Sequence, residues 1–221
     1  MSEVFLDIET TGLSFRDNHK IVEIACVETK ELIPTKKIFH TLINPERDVP
    51  DEAFRIHGHS SDLLKKQPTF KEIATKFLTF IEDKELIIHN ASFDIPFINY
   101  ELENIKIKKI DKNKIIDSLE IARGKFPGLS NSLDALCKRF GVDLSRRKKH
   151  NALLDCELLR EVYINLIGVR EPKLSLNNHI EEKKHVSSQT SHYSKKIIKP
   201  SEGELQDHKL FLKNELKKNY F

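Results

Sequence analysis

The 221 residues carry 38% hydrophobic side chains and a formal net charge of +3, apolar material for one domain and an appendage but not for two full domains. No run approaches the ~20 apolar residues of a membrane span, and no basic segment with an apolar stretch precedes the first strand, so a cytoplasmic protein is expected. Cys26, Cys137 and Cys156 are odd in number and lack CxxC spacing, which argues for reduced thiols and against secretion.

In chain order, residues 4–8, 21–29 and 38–43 read as strands of an antiparallel meander. In the second, Val22, Ile24 and Cys26 form the apolar side, set against Glu23 and Glu28. Helical patterns follow over 51–56, 69–81, 93–104, 118–123, 132–140 and 151–166, with short strands at 86–88 and 115–116. Three strands and then alternating helix and strand fit an α/β domain on a mixed five-stranded sheet flanked by helices. Asn90 or Ser92 is the expected N-cap of the helix carrying Asp94, and Pro96 is expected in its first turn, where a missing N–H costs no intrahelical bond. Gly12 in TTGL permits a close backbone approach.

The character changes after about residue 170. Pro172 ends the last helix, and 174–200 is rich in Ser, Asn, Lys and His with little periodicity, so 171–200 is expected to be a flexible linker. Ser201 and Glu204 have capping-box spacing, and Leu205, Phe211, Leu212 and Leu216 give a partial apolar stripe, so 201–221 is expected to form a helix that folds on a partner. Residues 1–172 hold 27 Lys and Arg against 28 Asp and Glu, and the rest hold 10 against 6, so the body is near neutral and the tail basic. Of two basic clusters, Arg146, Arg147, Lys148 and Lys149 beside His150 read either as a phosphate contact or as a solvated loop, while 106–114 reads as a solvated connection.

Acids capable of chemistry fall in three separate segments: Asp7 and Glu9 in DIETTGL, Asp94 in HNASFDIPFINYE, and Asp155 with His150 in HNALLD. Asp7 ends the apolar run Val4, Phe5, Leu6, and Asp155 sits between Leu153, Leu154 and Leu158, Leu159, where an unpartnered carboxylate is costly and calls for a cation. Alternation along a strand puts Asp7 and Glu9 on one face. Asp94 opens a helix after a strand end, and Asp155 lies about one turn into its helix with His150 just before it. A DxE pair or a helical Asp is ordinary alone; three motifs in order are not. Hard oxygen donors without a zinc-type cluster favour two divalent ions, Mg²⁺ or Mn²⁺. Such ions steady the attacking and leaving oxygens of phosphodiester cleavage, and a neutral His150 suits the general base. His89 is expected to be a hydrogen-bonded structural histidine.

DIETTGL, HNASFD and HNALLD resemble the three motifs of the DEDDh 3′→5′ exonucleases. PDEAFRIHG, IIDSLEIAR, FPGLSNSLDALCKRFGV and HNALLDCELLREVY are similar to the proofreading epsilon subunits of bacterial DNA polymerase III, over roughly residues 3–168. The resemblance implies a ribonuclease-H-like fold in which Asp7, Glu9 and Asp155 bind the catalytic ion and Asp7 also the second. Asp94 then supports the waters around them, and His150 accepts the proton. It further implies that Thr10, Leu13, Glu52, His57 and Phe93 bind the 3′-terminal nucleotide beside Asp7, Glu9 and Asp155; stacking on an aromatic ring is blind to base identity, as editing requires.

Gln189, Thr190, Ser191, His192 and Tyr193 form QTSHY, which resembles a degenerate sliding-clamp peptide. By the same resemblance the C-terminal helix meets the polymerase alpha subunit. The expected organisation is therefore a nuclease domain over 1–170, a linker over 171–200 and a polymerase-binding helix over 201–221. The expected function is removal of mispaired 3′-terminal deoxynucleotides as 5′-monophosphates from DNA. A DEDDh exoribonuclease shares the same five residues but has no evident use for the tail, and the complete acid set weighs against an adaptor whose nuclease activity is incidental.

Overall fold

A computed structural model describes residues 2–147, 149–168 and 200–215. They fall in two compact units. In the first, five strands, β1 (Ser2–Thr10), β2 (Ile21–Lys30), β3 (Ile33–Leu42), β4 (Glu85–Ile88) and β5 (Ile115–Asp117), form one sheet in the order β3-β2-β1-β4-β5. The β1-β2-β3 meander is antiparallel, whereas β4 pairs with β1 and β5 with β4 in parallel. The sheet is mixed, as the strand and helix order implied.

Seven helices surround it: α1 (Asp51–His57), α2 (Ser61–Leu64), α3 (Phe70–Ile81), α4 (Ala91–Asn104), α5 (Ser118–Lys125), α6 (Leu133–Phe140) and α7 (Ala152–Ile167). The four-residue α2 is too short to show a period in the sequence. On one face of the sheet Val4, Leu6, Ile8, Ile24 and Cys26 pack with Phe70 and Phe77 of α3 and with Ile95, Ile98 and Leu102 of α4. On the other, Phe5, Ala25, Val27 and Ile87 pack with Ala152, Cys156, Leu159 and Tyr163 of α7. Helices on both faces explain why Val4, Phe5 and Leu6 form an unbroken apolar run. The three cysteines are free and buried, and among the described residues no helix is long and apolar enough to cross a membrane.

Glu23 and Glu28 of β2 are as buried as their apolar neighbours, because the strand is interior to the sheet and covered on both faces. Two expectations need correction. The helix carrying Asp94 starts two residues earlier than its apolar period suggests. Asn90 occupies the cap position in a left-handed conformation without a side-chain cap bond. The Asp117 carboxylate instead accepts the N–H groups of Asn90 and Ala91 at 3.0 and 2.9 Å. Pro96 consequently lies in the second turn, where its missing N–H forfeits one helical bond.

In the second unit, α8 (Glu202–Glu215) opens on the expected capping box: the Ser201 N–H and hydroxyl both donate to the Glu204 carboxylate, and the Glu204 N–H returns to Ser201 Oγ. Leu205, Leu210 and Phe211 are exposed. The expected linker beyond residue 168, the segment Gln189–Tyr193 and residues 216–221 lie outside the described residues.

Candidate active site

β1 delivers Asp7 and Glu9 by strand alternation to the α7 face of the sheet, next to Phe5 on the same side. Register sets Asp7 opposite Ala25 and Glu9 opposite Glu23. The small alanine leaves room beside Asp7. Because β4 runs parallel to β1, its carboxyl end feeds α4 toward the same edge, and the buried Asp94 accepts the backbone N–H of Ile8, between the two β1 acids. Asp155 comes from the first turn of α7, whose N-cap Asn151 accepts the Leu154 N–H at 3.0 Å. His150 precedes that cap, half exposed, with its N–H on the Ile56 carbonyl at 3.1 Å.

Glu9, His150 and Asp155 offer ligand atoms that all lie within 4.8 Å of one another. Asp7 and Asp94 complete a cluster that burial and mutual repulsion hold in an unusual state. Asp7 is raised well above the ordinary carboxylate range, by burial first and then by Asp94 and Glu9. Burial and the nearby Asp155 push Glu9 up to about 8, and burial brings Asp94 to about 8 despite two backbone hydrogen bonds. Groups that resist ionisation in a protein alone become ready ligands for a hard divalent cation, whose charge reverses the local balance. The donor set, carboxylate oxygens with one imidazole, fits Mg²⁺ or Mn²⁺.

The same cleft, about 1050 Å³, is lined by Thr10, Leu13, Glu52, His57 and Phe93 as well as all five catalytic candidates. Leu13 is 85% exposed at its edge. Phe93 leans on Phe97 with ring centroids 5.2 Å apart. His57 accepts the His59 N–H at Nδ1, so in its neutral ring the proton sits on Nε2, which is buried without a protein partner. Burial lowers His57 to about 4 and keeps it neutral. His89 is the structural histidine expected, bonded to Ser118 and to the Asn131 carbonyl.

Three contributors escaped the sequence reading. Glu23, fully buried under Glu9, accepts His40 Nε2 at 2.7 Å, His59 Nε2 at 2.8 Å and Asn151 Nδ2 at 3.0 Å. Burial pushes its carboxyl up, but the two histidine bonds outweigh that and hold it at about 2. It ties β3, the turn after α1 and the cap of α7 to one charge. His19 lies against Gly12, where a Cβ would come within 2.3 Å of the imidazole, so the close approach foreseen at Gly12 is to a side chain of this chain. Arg147 had appeared only as one of four basic residues. It bonds both oxygens of Asp155 and reaches Asp134 and His150.

An exonuclease family, RNase_T, matches residues 4–163, and the chain belongs to it. Its fold is shared by the nuclease domain of 3′hExo, a DEDDh family member bound to rAMP, with TM-score 0.66, 17% identity, and coverage of 76% of this chain and 92% of that one. Exonuclease X in complex with 5′ overhanging duplex DNA aligns at TM-score 0.59 and 23% identity over 75% and 91% of the two chains. Within the family the chain sits with the epsilon subunits of DNA polymerase III. It is 46% identical to that subunit of Rickettsia felis over 98% of both chains, and 44% identical to that of Escherichia coli over 75% of this chain and 71% of the relative. Family and relatives together make it a metal-dependent 3′→5′ exonuclease.

Proposed function

We propose that the chain edits replicating DNA: it removes mispaired 3′-terminal deoxynucleotides as 5′-monophosphates, with His150 as general base, in the cytoplasm. The observation that carries this reading is the convergence in one cleft of Asp7, Glu9, Asp94, Asp155 and His150 with Thr10, Leu13, Glu52, His57 and Phe93. Asp7, Glu9 and Asp155 would hold two divalent ions, Asp7 serving both, with Asp94 supporting the waters around them. The ions supply positive charge for the attacking and leaving oxygens.

The chain's own groups do the rest. Leu13 and Phe93 give the terminal base an apolar wedge and a ring, contacts that accept any of four bases. The Nε2–H of His57 offers one directed donor, kept from water until a substrate acceptor arrives. His150 takes the proton of the attacking water, and its pKa is lowered by burial and by the Arg147 charge, which favours the neutral base. The near-neutral body gives little general attraction to DNA, so the tail supplies effective concentration: α8 toward the polymerase alpha subunit through Leu205 and Phe211, and Gln189–Tyr193 toward the sliding clamp.

The test is Mg²⁺-dependent 3′ shortening of a mismatched DNA primer-template, a matched one and an RNA of equal length, with Asp7→Ala as control. Faster loss of the mismatched DNA end, abolished by Asp7→Ala, is expected. Preference for RNA would make the chain a ribonuclease, and metal-independent cleavage would remove the acid cluster from the mechanism.

A further inference from the structure

Among the described residues of its cluster, Arg147 is the one whose side chain is withdrawn from solvent, 7% exposed against 77% for Arg146. Its Nε and Nη2 bond Oδ1 and Oδ2 of Asp155 at 2.6 and 2.7 Å, the two-pronged geometry in which guanidinium grips carboxylate most firmly. Nη1 holds Asp134 on the first turn of α6, and Nη2 lies 3.0 Å from Nδ1 of His150. Burial works against the guanidinium charge, yet its carboxylate neighbours, Asp155 first, hold the proton more tightly than usual.

Two consequences conflict with catalysis. An ion seated on Asp155 needs the carboxylate oxygens that Arg147 occupies. A guanidinium has donors only, so Nδ1 of His150 must be the acceptor of their hydrogen bond, and in the neutral ring the proton then sits on Nε2. While Arg147 stays, one nitrogen of His150 has its lone pair engaged and the other already carries hydrogen. One side chain thus withholds both a metal ligand and the base.

We propose, on the reading of the site given above, that Arg147 is a moving part of the reaction. It holds Asp155 and His150 until a divalent ion takes Asp155. It then turns about its anchor on Asp134, freeing the His150 lone pair and offering its Nε and Nη2 edge to the phosphate of the bound nucleotide. Three features support the exchange. Arg147 lines the nucleotide cleft. Asp134, half exposed, is not among the acids that hold the ion and can keep its bond throughout. The edge released from a carboxylate is the edge that matches phosphate.

Calorimetric titration of the full chain tests both halves. Arg147→Gln is expected to bind Mn²⁺ about tenfold more tightly than wild type, since hydrogen bonds to a charged group contribute about 1.5 kcal/mol or more and each 1.4 kcal/mol is tenfold. Arg146→Gln removes the same charge without touching Asp155 and is expected to stay within about twofold. Arg147→Lys, which keeps a charge for folding but lacks the fork, is expected to shift the same way by less. With saturating Mg²⁺, Arg147→Gln is expected to bind dAMP about tenfold more weakly and deoxyadenosine equally well. Unchanged or weaker Mn²⁺ binding in both Arg147 variants overturns the exchange, as does an equal gain in Arg146→Gln. Unchanged dAMP affinity overturns the phosphate contact. Failure of the wild type to bind Mn²⁺ at all would instead overturn the function proposed for the site.

Discussion

Raising the pH of the chelator-treated chain is expected to weaken its fold, and a divalent ion is expected to restore it. Glu9 and Asp94 each stand at about 8 in the folded protein because burial withholds water from their charged forms. A group raised on folding stabilises the fold fully below its unfolded pKa and loses that contribution as pH climbs through the folded value. The window therefore runs from the ordinary carboxylate range of about 4 up to about 8. Inside it both carboxyls are protonated when folded and ionised when unfolded, so the pair subtracts about 3 kcal/mol per pH unit. From about pH 6 to 7.5 the loss is about 4 kcal/mol, a large share of the ~5–15 kcal/mol that holds a domain together. On the function proposed, a divalent ion held by Glu9, with Asp94 on its waters, favours the ionised carboxylates, so at neutral pH its binding is expected to expel these protons and flatten the slope. Urea unfolding midpoints across this range, in chelator and in Mg²⁺, measure the effect, and calorimetry in two buffers of different ionisation enthalpy counts the protons released. A flat profile in chelator, or an equal decline with Mg²⁺, refutes the idea that these acids share one buried cation site.

His150→Ala is expected to slow turnover about 10²–10⁴-fold. Its unfolding midpoint should match wild type, because the ring is half exposed. Glu23→Gln cannot accept all three of its donors and is expected to cost about 2–4 kcal/mol in urea unfolding. It should lower kcat as well, since Asn151 beside His150 loses a tie. Gly12→Ala drives a methyl into the His19 ring, so primer KM is expected to rise about tenfold in steady-state kinetics as the Leu13 edge shifts, with far-UV spectra unchanged. Phe211→Ser on the exposed face of α8 is expected to leave exonuclease activity on free primer intact and to abolish co-purification with the polymerase alpha subunit.

What the sequence disclosed and what it hid divide by reach along the chain. Asp7 and Glu9 share a face because they are two residues apart on a strand, and Asp155 sits a turn after His150 because both belong to one helix start; such relations are written in local spacing. In the sequence Glu23 is only the polar alternate of Val22 and Ile24 on a strand. Its partners His40, His59 and Asn151 stand 17, 36 and 128 residues away, so nothing near it in the sequence announces them. Asn90 takes the α4 cap position as expected, but the carboxylate that accepts its N–H comes from Asp117, 27 residues on.

Arg147 is a different case, since its neighbours Arg146, Lys148 and Lys149 make it look interchangeable with them. Only the fold separates a guanidinium drawn inside by Asp134 and Asp155 from one left outside on Glu157. Spacing therefore pointed to the acids and the histidine that the fold gathers in one cleft, whereas the groups that hold their charge and orientation emerged only when the sheet was covered on both sides. That order follows from the physics. Catalytic acids must sit at the ends of particular strands and helices, while their counter-charges need only arrive within hydrogen-bond distance, from anywhere in the chain.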